Sequence, residues 1–82
     1  MNVISIEEYT PSMGVLISLE DKEDYKPIKG SINLNIDSIL SNPSAYLDKN
    51  QIYYFYCTNG IRSRKAVSIL SVYGYKVVKV TK

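Results

Sequence analysis

A run of five β-branched and aromatic residues, Ile52 to Tyr56, constrains the fold of this chain more than any other feature. Residues of these types favour strands, and the run has no polar gap, so both of its faces are apolar. A strand of that kind is buried on both sides, as in a parallel sheet covered by other elements. We therefore expect residues 52–56 to form a central strand.

The segment that follows this run has the pattern of a helix. Its apolar residues recur at the spacing of one helix face: Ala66, Ile69, Leu70 and Tyr73. Ser63 is the expected N-cap of this helix, and Gly74 is the expected residue just past its end. This predicts an amphipathic helix packed against the central strand.

Four further stretches have strand patterns, at residues 2–6, 15–17, 31–36 and 75–80. A short helix capped by Asp37 or Ser38 is expected to run through Leu40. Strands that alternate with helices are typical of α/β domains. We predict one α/β domain with a mostly parallel central sheet of about four to five strands, flanked by helices.

Composition excludes several classes of site. The 82 residues include one cysteine and no histidine, which rules out a disulfide framework, a zinc site built from several Cys and His ligands, and a histidine-based catalytic pair within this chain. Ten basic against eight acidic residues leave a net charge of +2, too small to favour nucleic-acid binding.

Targeting signals are not evident either. No run approaches the roughly 20 apolar residues of a membrane-spanning helix, and the first residues lack the basic segment of a secretory signal. A lone cysteine suits a reducing compartment. We therefore expect a cytoplasmic protein that binds neither membrane nor nucleic acid.

The candidate site is the loop between the central strand and the amphipathic helix, Cys57-Thr58-Asn59-Gly60-Ile61-Arg62. Ligands of α/β sheets bind at the carboxyl ends of strands, where Cys57 lies. Asn59 and Gly60 tolerate a positive φ, which lets the loop curl and direct several backbone N–H groups at one point. Positive charge nearby comes from the helix N-terminus and from Arg62, Arg64 and Lys65. These surroundings favour a thiolate nucleophile that needs no histidine.

The segment Tyr56 to Ser63 resembles the active-site loop of rhodanese-like sulfurtransferase domains, which runs from a nucleophilic cysteine through four residues to a basic residue. Residues 28–33 are similar to the family's Gly-His-Ile-x-Gly-Ala-Ile-Asn segment, and residues 47–53 to its lead-in to the catalytic strand. Residues 66–77 resemble the helix and the Gly-Tyr-x-Val element that follow. The resemblance implies a single rhodanese-like domain over residues 1–82.

The resemblance also implies a role for each residue of the loop. Cys57 would accept a sulfane sulfur and become a persulfide, and Arg62 would hold an anionic donor such as thiosulfate. The persulfide would be cradled by the backbone N–H groups of Thr58, Asn59, Gly60, Ile61 and Ser63. A thiol or protein acceptor would then take the sulfur, with no metal or other cofactor, and the chain would act as a monomer or homodimer.

The sequence departs from the family pattern in three places. Ser18-Leu19-Glu20 stands where members carry an Asp-x-Arg signature, and Pro27 replaces the histidine of the Gly-His-Ile segment. The sequence ends at Lys82, where members continue into a final helix, which implies a partly uncovered sheet face that dimerisation would cover. The lost acid and base favour an alternative, a non-catalytic rhodanese-like module that binds a partner or an anion.

Other interpretations stay open from the residues alone. Cys57 can be a small buried hydrophobe, and Asn59-Gly60 can be a hairpin turn, although the helical spacing after it argues against the hairpin. A cysteine phosphatase or arsenate reductase is disfavoured, because those loops place five residues between cysteine and arginine, and here there are four. The charged run Glu20 to Asp24 is expected to form only a solvated surface.

Overall fold

The centre of the computed structural model, which describes residues 2–82, is a five-stranded sheet in which every neighbouring pair is parallel. In chain order the strands are β1 Val3–Ser5, β2 Val15–Ser18, β3 Ile32–Asn33, β4 Ile52–Tyr56 and β5 Lys76–Thr81. Their spatial order is β1-β5-β4-β2-β3, which confirms that residues 52–56 form the central strand. The hairpin alternative is wrong, because β4 and β5 run parallel.

Two helices complete the α/β fold. Helix α1 spans Ile36–Ser41, and helix α2 spans Ile61–Val72 and connects β4 to β5. A 3-10 turn at Pro43–Ala45 follows α1. No helix within residues 2–82 is both long enough and apolar enough to span a membrane.

The helices cover one face of the sheet. Alternate residues of a strand point to opposite faces, and Tyr53 and Phe55 of β4 point to the helix side. There they share a buried cluster with α1 and α2 residues, namely Ile39, Ala66, Val67 and Leu70. Phe55 is fully buried, and this burial stabilises the fold by about 1.5–3 kcal/mol relative to an exposed side chain. This packing fixes the start of α2 relative to the end of β4.

Loop segments, rather than helices, cover the opposite face within the described residues. Tyr54 and Val80 pack there in a second cluster with Tyr9. The Tyr9 hydroxyl donates to the Gly14 carbonyl at 2.7 Å, and Lys29 Nζ donates to the carbonyls of Ile6 and Tyr9 at 2.7 and 3.0 Å. These hydrogen bonds tie the loops to each other over the sheet.

Two helix starts and one strand differ from the sequence prediction. Helix α2 begins at Ile61, so Ser63 lies in its first turn and Gly60 occupies the N-cap position. Helix α1 is capped by Asn35, whose Oδ1 accepts the Ser38 N–H at 3.1 Å, and not by Asp37 or Ser38. Because this cap starts the helix at once, the strand predicted for residues 31–36 shrinks to the two residues of β3.

Candidate active site

Cys57 follows β4 directly, at the carboxyl edge of the middle of the sheet. Its side chain is only 4% exposed and belongs to the helix-side core, as the buried-cysteine interpretation expects. Its sulfur nevertheless has polar neighbours. The Ser63 N–H donates to Sγ at 3.3 Å, and Asn59 Oδ1 and Ser63 Oγ each lie 3.6 Å from it as acceptors for the thiol proton. The buried sulfur therefore lies among both hydrogen-bond donors and acceptors.

The loop reaches this geometry through a left-handed turn at Gly60, whose φ is +76°. The Gly60 N–H donates to the Cys57 carbonyl at 3.3 Å, and the Gly60 carbonyl accepts from the Ser63 hydroxyl at 3.2 Å and from the Arg64 N–H at 3.1 Å. Asn59 Oδ1 accepts the Ile61 N–H at 3.0 Å, which braces the turn just before the helix. The turn therefore brings the first turn of α2 back against the cysteine.

The backbone N–H groups of the predicted cradle have different partners. The Ser63 N–H points at the sulfur, while the Gly60 and Ile61 N–H groups bond within the loop. The Thr58 N–H donates to a carboxylate oxygen of Glu20, and the Thr58 hydroxyl donates to the same oxygen at 2.8 Å. The loop is thus held in shape by its own hydrogen bonds and by one acidic side chain from outside it.

Arg62 is held beside the loop by an acidic residue that follows Glu20. Its Nη1 donates to the Leu19 carbonyl at 3.0 Å and lies 3.1 Å from Asp21 Oδ1. Both side chains are substantially exposed. The hydrogen bond to Asp21, and then the charge of Asp21, raise the pKa of Arg62, so its guanidinium stays protonated. The predicted anion-binding arginine is therefore already paired with a carboxylate.

Glu20 and Asp21 correct the expectation that the charged run 20–24 is only a solvated surface, although Lys22, Glu23 and Asp24 are exposed as predicted. The contacts follow from register. Strands β2 and β4 are parallel neighbours, so the residues after each strand meet at the same edge of the sheet. Sequence reasoning missed the two acids because they lie far along the chain from the loop.

A small pocket of about 190 Å³, hereafter the Cys57 pocket, opens between the two segments. Its lining consists of Glu20, Asp21, Asp24, Cys57, Thr58, Asn59 and Arg62. Among the described residues, this lining has three carboxylates, those of Glu20, Asp21 and Asp24, and a single guanidinium, that of Arg62. Of the predicted site residues, Gly60, Ile61 and Ser63 do not line this pocket.

A comparison with protein families agrees with the geometry. The family model described as a rhodanese-like domain matches residues 6–82. The chain belongs to the rhodanese-like domain family. A comparison with curated protein sequences found no match.

Several solved structures resemble this rhodanese-like chain. A rhodanese-related protein from Thermoplasma volcanium has a TM-score of 0.84 at 25% identity, over 99% of this chain and 84% of that one. A rhodanese-like domain protein from Staphylococcus aureus has a TM-score of 0.77 at 27% identity, over 99% and 85%. Reduced CoADR-RHD from Bacillus anthracis has a TM-score of 0.81 at 28% identity, over 96% of this chain and 15% of that one.

Proposed function

We propose that this rhodanese-like domain moves a sulfane sulfur from a donor to a thiophilic acceptor through a persulfide on Cys57. The observation that supports the proposal best is the position of the sulfur. It lies at the carboxyl edge of the central strand, 3.3 Å from the N–H of Ser63 in the first turn of α2. A backbone donor and a helix N-terminus favour a negatively charged sulfur, the form that attacks a donor.

The chemistry consists of two displacements at sulfur. With thiosulfate as the donor, the Cys57 thiolate attacks the outer sulfur, a new Sγ–S bond forms, and the S–S bond of the donor breaks so that its electron pair leaves with sulfite. A thiolate of a small molecule or protein, or cyanide, then attacks the outer sulfur of the persulfide. Cys57 leaves as a thiolate, which closes a ping-pong cycle that needs no metal or other cofactor.

The loop supplies the electrostatic part of this proposal. The Ser63 N–H stabilises charge on Sγ, and Arg62 is the positive group on the wall of the Cys57 pocket that an anionic donor would meet. Because Cys57 is only 4% exposed, a donor has to reach the sulfur through this pocket. Small donors are therefore favoured for the first half of the cycle.

The test is intact mass spectrometry after brief incubation with thiosulfate or with an organic persulfide. The chain has a single cysteine, so a gain of one sulfur that a reducing agent removes can be assigned to Cys57 without fragmentation. We expect that gain in the wild type and its loss in Cys57→Ser. A gain that persists in Cys57→Ser would contradict the proposal.

A non-catalytic module that binds a partner or an anion is the second candidate. It is favoured by the deep burial of Cys57 and by the pairing of Arg62 with Asp21. If no donor adds sulfur although iodoacetamide alkylates Cys57 in the folded protein, this second candidate replaces the first. If Cys57 also resists alkylation, the cysteine is a core residue.

A further inference from the structure

We infer that Glu20 and Asp21 make the Cys57 pocket select sulfur donors by charge, in favour of donors whose organic group R is uncharged or cationic. The inference builds on the proposed sulfur transfer and names its donor class. That class is an organic persulfide, which reacts as R–S–SH and carries at most one negative charge on its two sulfur atoms. Thiosulfate, which is a dianion, is then a poor donor.

Glu20 already fills one of the positions where the loop would receive an anion. Its carboxylate accepts both the backbone N–H and the hydroxyl of Thr58, the residue immediately after the cysteine. A donor anion that needed the Thr58 N–H would have to displace this carboxylate. The loop thus carries an internal anion, which comes from the segment after the neighbouring strand β2.

Asp21 acts on the other wall of the pocket. Its carboxylate lies 3.1 Å from Arg62 Nη1, and the same nitrogen also donates to the Leu19 carbonyl. The one cation among the described residues that line the pocket is therefore offset by a carboxylate before any donor binds. With Asp24 included, this lining carries three carboxylates against one guanidinium. A donor that brings more negative charge meets net repulsion.

The chemical step itself does not require a charged donor. The Cys57 thiolate attacks the outer sulfur of R–S–SH, the Sγ–S bond forms as the S–S bond breaks, and R–S⁻ leaves and takes a proton from water. The charge that passes through the pocket is that of the thiolate R–S⁻ plus any group on R. A cationic group on R offsets it, and an anionic group adds to it.

The experiment compares persulfides of the same size and different charge. Persulfides of cysteamine, 2-mercaptoethanol and 3-mercaptopropionate, each made from the disulfide and sulfide, carry cationic, neutral and anionic groups. The rate of sulfur addition to Cys57 is followed by intact mass. In the wild type we expect the rate to fall in that order, by on the order of threefold to tenfold per unit of donor charge. In 1 M salt the differences should shrink, because the Debye length there is about 3 Å.

The variants remove charge and keep shape. Glu20→Gln retains an oxygen that can accept from Thr58, and Asp21→Asn retains one that can accept from Arg62. Both should flatten the dependence on donor charge and raise the rate with thiosulfate by at least threefold. Glu23→Gln is the matched control, because it removes the same charge from the same exposed segment and does not line the Cys57 pocket.

The outcomes separate the two proposals. Equal rates for the three persulfides in the wild type would overturn the charge selection and leave the sulfur transfer intact. The same follows if Glu23→Gln weakens the dependence of the rate on donor charge as much as Glu20→Gln does. If none of the donors adds sulfur to Cys57, the transfer and the selection both fail. A graded series that Glu20→Gln and Asp21→Asn flatten, and Glu23→Gln does not, supports the inference.

Discussion

Substituting Gly60 by alanine tests how the turn in front of α2 positions the cysteine. Gly60 has a φ of +76°, and an alanine there is strained whatever the available space. A Cβ would lie 3.3 Å from Lys79 Nζ and 3.5 Å from Lys79 Cε, the flexible end of a side chain that can move away. The steric part of the cost is therefore small, and the conformational part, about 1–2 kcal/mol for a left-handed L-residue, dominates.

Gly30 provides a control with the same φ and no role near the cysteine. Its φ is also +76°, and nothing lies within 4 Å of the point that a Cβ would occupy. Gly30→Ala and Gly60→Ala should lose the same free energy of unfolding, about 1–2 kcal/mol, or about 4–16 °C in Tm for a domain of this size. Gly60→Asn should lose less than Gly60→Ala, since asparagine tolerates the left-handed region. Urea titration followed by circular dichroism measures all three.

Sulfur addition to Cys57 should distinguish the two alanine variants. The Gly60 carbonyl holds the Ser63 hydroxyl, and the Ser63 N–H donates to Sγ, so a relaxed turn moves that donor away from the sulfur. Gly60→Ala should slow sulfur addition by at least threefold, and Gly30→Ala should not. Unchanged stability and rate in Gly60→Ala would refute this account of the turn. A larger loss of unfolding free energy in Gly60→Asn than in Gly60→Ala would refute it as well.

Two further predictions concern the two cores. Tyr9→Phe removes the hydrogen bond to the Gly14 carbonyl and should cost about 0.5–1.5 kcal/mol at pH 7. Burial, and then the proximity of Tyr54, raise the pKa of Tyr9 above its value in the unfolded chain, so its contribution is complete below about pH 10 and is lost as pH rises further. Urea midpoints at pH 7 and pH 11 should therefore differ less in Tyr9→Phe, and an equal difference would contradict the assignment. Phe55→Ala should cost about 3–5 kcal/mol because Phe55 is fully buried, and a shift below about 1 kcal/mol in urea titration would show that the core collapses around the gap.

The arrangement of the sheet was predictable because it depends on strong patterns. The apolar run 52–56 has no polar residue that could face solvent, so its central position follows from burial alone. The helix that follows was predicted, but its buried face is made of Ala66, Val67 and Leu70, whereas Tyr73 of the predicted face is exposed at the C-cap. Helix starts were less predictable, because Asn35, Asp37 and Ser38 can all cap a helix, and tertiary packing selects one of them.

The two acidic residues that contact the loop could not be predicted from the local sequence. Glu20 and Asp21 lie in a charged run of the kind that usually forms solvated surface, and nothing near them in sequence indicates a cysteine. Their contacts with Thr58 and Arg62 depend on the pairing of β2 with β4 in one particular register. The departure at Ser18-Leu19-Glu20 was visible in the sequence, but its meaning required the structure.

The order of the strands has a consequence for biosynthesis. Within the described residues β1 has a single neighbour in the sheet, β5, and their register joins Val3 to Lys79 and Ser5 to Thr81. A ribosome therefore releases β1 long before its partner exists, and this edge of the sheet closes only after β5 has been made. Such long-range pairing slows folding and leaves an unpaired strand exposed in the nascent chain. We expect chaperone contact with the nascent chain to last until β5 has emerged.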